Sequence, residues 1–124
     1  MKETKDNIIA QKSMKFSVRM VKLYKYLHDE KQEYCISKQV FRSGTSIGAN
    51  IREAIRGQSK ADFRAKMSIS LKEASETEYW IELLKESCYI SDQEAKSLQD
   101  DCIELMKLLT SIIKKSQISS DIYV

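Results

Sequence analysis

The stretch SDQEAKSLQDDCIELMKLLTSI, residues 91–112, decides the fold. Leu98, Cys102, Leu105, Leu109 and Ile112 recur at steps of four, three, four and three. That rhythm puts one apolar seam along a helix and packs neighbouring helices at a shallow angle, as in bundles. Ser91 followed by Glu94 is the spacing of a capping box, which sets where this helix begins. The apolar rhythm stops near Ser116, so the spacing predicts a helix over 92–116 and a frayed tail over 117–124.

Three more helices lie upstream. Ile9, Phe16, Met20, Leu23, Tyr24 and Leu27 share a face and predict a helix over 7–28. A polar break at 29–32 follows. Val40, Gly44, Ile47, Ile51 and Ala54 predict a helix over 37–56, with Ser37 as N-cap and Gly57 in a left-handed turn past its end. Ser59 and Asp62 mark the start of a third, whose stripe runs from Phe63 through Met67, Ala74, Ile81 and Leu84 and predicts a helix over 60–89. The whole pattern predicts a single all-α domain over 1–124, an antiparallel up-down four-helix bundle.

Composition agrees. The 124 residues include no proline and only three glycines, too few turn formers for a sandwich or barrel of short strands. Apolar residues make up 42% and charged residues 31%, too apolar for disorder and too charged for a membrane span. The charged start has no apolar signal core, and the expected location is the cytoplasm. Cys35, Cys88 and Cys102 form no CxxC pair and stand beside a single histidine, so a zinc site is not expected; buried reduced thiols are.

Charge is uneven. Residues 1–57 carry 12 Lys/Arg and 6 Asp/Glu, a net +6, and residues 58–124 carry 9 and 12, a net −3. Lys12, Lys15, Arg19, Lys22 and Lys25 recur at steps of three and four along the first helix, and Arg42, Arg52 and Arg56 add to them from the second. Such a stripe can follow a phosphate backbone, or it can be an ordinary solvated face. Lys12, Lys15, Arg19, Lys22, Lys25, Arg52 and Arg56 are the candidate nucleic-acid contacts.

The second helix carries two further patterns. Gly44 and Gly48, four apart, cost helix stability and imply a close helix–helix crossing. Arg42, Ser46, Asn50 and Glu53 form a polar ridge beside them, for which Glu73 and Glu76 of the third helix are the natural partners. The expected network joins Arg42 and Asn50 to Glu73 or Glu76. Tyr24, Tyr79 and Trp80 lie at or beside the apolar stripes and read as core or interface packing rather than base stacking; one of the adjacent Tyr79 and Trp80 faces the core. A di-iron bundle needs Glu-x-x-His pairs, a phosphate loop needs a Lys-Ser/Thr ending, and nothing orients His28 and Cys35 as a catalytic pair. No catalytic residue, metal ligand or cofactor is assigned.

The runs FRSGTSIGANIREA (41–54), SKADF (59–63) and KEASETEYWIELL (72–84) resemble the bacterial four-helix-bundle family of 23S rRNA intervening-sequence proteins, also called S23 ribosomal proteins. Its relatives include the accessory variability determinant of diversity-generating retroelements. The resemblance covers nearly the whole chain. It implies a four-helix protomer in a homo-oligomer, a ring-shaped homopentamer, and in the retroelement branch a basic assembly that binds RNA or DNA and partners a reverse transcriptase. The chain departs from many members in having no Trp in the first helix and Ala54 after Glu53. The resulting expectation is an oligomeric scaffold that binds nucleic acid electrostatically without catalysis. The alternative is an adaptor that binds only protein, and a small metal protein or enzyme comes third.

Overall fold

The computed structural model describes the backbone of residues 5–122 and the side chains of residues 7–117. Four helices follow in chain order: α1 (Lys5–Asp29), α2 (Ile36–Ile55), α3 (Lys60–Glu86) and α4 (Asp92–Ile122). The described residues contain no strand. The fold is an all-α four-helix bundle.

Cross-helix contacts give the direction of each pair. Met20 lies against Gly44, and Ser13 and Ser17 lie against Gly48, so α1 and α2 are antiparallel. Between α2 and α3, Ser43 meets Thr77, the Ile47 carbonyl accepts from Ser70, and Glu53 meets Lys66. Cys102 of α4 lies 3.2 Å from the Ala74 carbonyl of α3, and Arg64 of α3 donates to the Ser116 carbonyl of α4 at 3.5 Å. Lys12 and Arg19 of α1 reach Glu104 and Asp101 of α4. In each pair the numbers rise on one helix as they fall on the other.

The apolar stripes meet in one core. Ile9, Phe16, Met20, Leu27, Val40, Ile47, Ile51, Met67, Ala74, Ile81, Leu84, Leu105 and Leu109 are all but inaccessible to solvent. The core also holds hydroxyls. Ser43, Ser70 and Thr77 are fully buried, and each hydrogen-bonds across or along the α2–α3 seam, so their desolvation is offset.

The helix ends depart from expectation, each for a local reason. Ser37 is not the N-cap of α2; it lies inside the first turn. Glu33 does the capping instead. Its carboxylate accepts from the backbone N–H groups of Cys35 (3.2 Å), Ile36 (3.0 Å) and Ser37 (2.7 Å), and the Ser37 hydroxyl donates to the Glu33 carbonyl. Gly57 has no positive φ. It is small because a Cβ there would crowd the Asp62 carboxylate and lie 3.1 Å from the Ala54 carbonyl. Helix α3 stops at Glu86, not 89, because Cys88 takes the left-handed conformation (φ 66°). The Cys88 N–H then bonds to the Lys85 carbonyl and the Tyr89 N–H to the Leu84 carbonyl, the paired closure of a Schellman motif with cysteine where glycine is usual. Helix α4 continues to Ile122, so residues 117–122 are helical rather than frayed, and 123–124 lie outside the described residues. No Gly or Pro follows Ser116 to stop it. The starts of α3 and α4 are capped by Ser59, which accepts from the Asp62 N–H, and by the reciprocal Ser91–Glu94 pair.

Of the cysteines only Cys102 is buried. Burial, with Glu78 and Asp101 nearby, pushes its thiol up to about 12, so it stays protonated. Cys35 and Cys88 are exposed, because each sits at a turn rather than on an apolar stripe.

Candidate nucleic-acid interface

The seven basic candidates separate into three groups. Lys12 and Arg19 lie on the α4 side of α1. Lys12 Nζ is 3.3 Å from Glu104 Oε1. Arg19 Nη1 is 2.6 Å from Asp101 Oδ2, and its guanidinium also donates to the Ser97 carbonyl and hydroxyl. These two cations fasten α1 to α4. Lys15, Lys22 and Lys25 point away from the bundle on the outer face of α1, exposed and with no carboxylate partner among the described residues. Arg52 on α2 and Arg56, its C-cap, are exposed and line a furrow between α1 and α2.

That furrow has a volume of about 1050 Å³. Small residues form it: Ala10, Ser13 and Ser17 on α1, and Thr45, Gly48 and Ala49 on α2. A Cβ at Gly48 would already lie 3.3 Å from the hydroxyls of Ser13 and Ser17. One turn away, a Cβ at Gly44 would run into Met20, so the glycine pair permits the α1–α2 approach. Glu53 and Lys66 also line the furrow and pair with each other at 3.5 Å.

The polar ridge of α2 is a surface feature, with the Arg42 side chain 49% exposed. Arg42 does reach α3, donating to Glu76 and, at 3.3 Å, to Glu73. Trp80 Nε1 donates to the same Glu76 oxygen at 2.9 Å. Asn50 takes no part; its amide donates to the Ser46 carbonyl of its own helix, and the Ser46 hydroxyl donates to the Arg42 carbonyl. An Asn four residues after Ser46 is satisfied locally before it can cross to α3. Trp80 is partly buried against the core, and Tyr79 is exposed and meets it edge-on.

A row of rings went unseen in the sequence. Phe41 and Tyr24 have centroids 5.1 Å apart, Tyr24 and His28 5.8 Å, and His28 and Tyr34 4.8 Å. The available signal was the i, i+4 spacing of Tyr24 and His28, which places both on one face of α1. The rest of the row depends on the α1–α2 turn bringing Tyr34 back.

The fold is thus a four-helix bundle whose excess of positive charge lies in its first two helices. The family model described as 23S rRNA-intervening sequence protein matches residues 5–111, and the chain belongs to that family. It is similar to a crystal structure of a protein with unknown function from the S23 ribosomal protein family of Bacteroides thetaiotaomicron, with 56% identity and a TM-score of 0.89, over 90% of this chain and 99% of that one. No curated protein matches the chain. No helix among the described residues is long and apolar enough to cross a membrane.

Proposed function

We propose that the protein is an oligomeric helical scaffold of the cytoplasm that holds RNA or DNA by charge and does no chemistry of its own. The observation that carries the reading is the outer face of α1. Lys15, Lys22 and Lys25 stand there without carboxylate partners among the described residues, while the acidic excess lies in α3 and α4. Cations not neutralised by their own protein are the ones that release counterions from phosphates. Lys12 and Arg19, held by α4, contribute to the field but not to direct contact. The family description names rRNA, which supports RNA as the first ligand to test.

Self-association is supported by an apolar stripe on the same helix. Met14, Val18 and Val21, at steps of four and three, are 49%, 47% and 38% exposed. A contiguous apolar stripe is the kind of surface that a protein contact covers. Copies joined there would sum their modest patches into a strong field. The count of five comes from the family resemblance. The same stripe supports the second reading, an adaptor that docks another protein, for instance a reverse transcriptase.

The test is charge reversal. The triple variant Lys15→Glu, Lys22→Glu and Lys25→Glu should keep its helical circular dichroism and lose binding to a labelled structured RNA. Retained binding with an intact fold would remove α1 as the contact surface and leave the adaptor reading.

A further inference from the structure

The α1–α2 furrow and the ring row lie one after the other along the same side of the α1–α2 pair, a crevice that begins at the rings and ends in the furrow. Along α2, Phe41, Thr45, Gly48 and Arg52 follow at steps of four, three and four, which places them on one face. Along α1, Ser13 and Ser17 line the furrow, and Tyr24 and His28 follow at helical spacing on the same face, beyond its end. At 1.5 Å per residue, Phe41 and Arg52 are about 16 Å apart along the axis. One end of the crevice carries rings and the other carries Arg52 and Arg56, neither of which has an ion-pair partner among the described residues.

We propose that this crevice binds an unpaired stretch of nucleic acid, with bases stacking on Tyr34 and His28 and phosphates on Arg52 and Arg56. The inference rests on the nucleic-acid reading above and adds the form of the ligand and its seat. Three features favour an unpaired strand. First, the outer rings are open: Tyr34 is 49% exposed and the His28 side chain 47%. Phe41 and Tyr24 are partly buried and anchor the row to the bundle. Every base has a π-face, and only an unpaired strand can present it to a side chain. Second, the arginine end has room for a sugar–phosphate stretch, since the furrow there, about 1050 Å³, is a little larger than the ~300–1,000 Å³ typical of small-ligand pockets. Third, the charge fits. The lining acid Glu53 is paired with Lys66, and Arg52 and Arg56 outnumber the remaining lining acid, Asp62, so the net charge of the furrow is positive.

The probes are a labelled single-stranded oligouridylate, its oligothymidylate counterpart and a duplex of equal length, measured by fluorescence anisotropy at low salt with the full chain. The wild type should bind the single strands more tightly than the duplex. The double variant His28→Ala/Tyr34→Ala should lose about tenfold or more for single strands, from the worth of a stacked base, and less than about twofold for the duplex. Both rings are at the surface, and circular dichroism checks the fold. Arg52→Ala/Arg56→Ala should weaken single-strand binding and lower its salt dependence. The ratio of RNA to DNA affinity identifies the source of the strand, and preferred binding of either supports the proposal. Equal affinity for duplex and single strands, or an equal loss for both on removing the rings, overturns it and leaves electrostatic binding standing. No binding of any probe overturns both. If the ring or arginine variants instead dissolve an oligomer and leave binding unchanged, the crevice is a contact between copies and the proposal is wrong.

Discussion

Between α2 and α3 the hydroxyls of Ser43, Ser70 and Thr77 are buried and partnered, and Arg42, Glu73, Glu76 and Trp80 close the edge of the seam. Along the outer flank of α1, Met14, Val18 and Val21 are open to solvent beside three lysines, and the seam to α4 is fastened by surface ion pairs. The first region satisfies every polar group it buries. The second leaves apolar area and charge unmet. The inner face of α1 joins the core through Ile9, Phe16, Met20 and Leu27, so the contrast lies between a seam whose polar groups are all met and an outer flank on which the proposed contacts would fall.

The largest contrast should appear in core truncation. Ile47 is fully buried, and Ile47→Ala should cost about 2–5 kcal/mol in urea unfolding. Val18→Ala should cost within about 0.5 kcal/mol at low protein concentration. A concentration-dependent loss for Val18→Ala would sharpen the contrast by showing that a second surface covers the flank. Equal losses at high dilution would break it.

An intermediate effect should come from the turn that joins α1 to α2. Burial would raise the Glu33 carboxyl, but the N–H donors of Ile36, Ser37 and Cys35, with the Ser37 hydroxyl, outweigh it and hold the group below its ordinary value of 4.5. A carboxyl depressed in the folded state stabilises fully above 4.5 and loses that contribution as pH falls through the folded value. Glu33→Gln should therefore destabilise by about 1 kcal/mol at neutral pH, and its deficit relative to wild type should shrink once the solution is acid enough to protonate Glu33. Glu94, depressed by its hydrogen bonds with the Ser91 backbone and side chain, keeps part of the acid sensitivity in the variant. A deficit unchanged across the same pH range would show that the cap does not depend on charge.

The smallest effect belongs to the α1–α4 seam. Arg19 and Asp101 are 35% and 49% exposed, so Arg19→Ala should cost no more than about 1 kcal/mol, and less at high salt. A larger, salt-insensitive loss would make this seam part of the structural core.

The bundle was legible because it rests on periodicity. The stripe Leu98, Cys102, Leu105, Leu109 and Ile112 needs no partner to be seen, and all five residues are buried. The helix ends were less legible where an unusual residue did the work. Glu33 caps a helix from outside it, and Cys88 takes a backbone conformation that glycine usually supplies. The candidate site was the least legible. Lys12, Lys15, Arg19, Lys22 and Lys25 look alike at steps of three and four, and only the cross-helix register shows that Glu104 and Asp101 engage two of them. The same register brings Phe41 to Tyr24, and the turn brings Tyr34 to His28.

The most direct measurement is the salt dependence of binding. Wild-type protein would be titrated into labelled structured RNA and duplex DNA at about 50 and about 200 mM salt, with anisotropy as the readout. Binding at the lower salt should weaken tenfold or more at the higher, the mark of several phosphates contacted together. Absence of binding at the lower salt, or affinity unchanged between the two, would contradict electrostatic binding and make the lysines of α1 a solvated face.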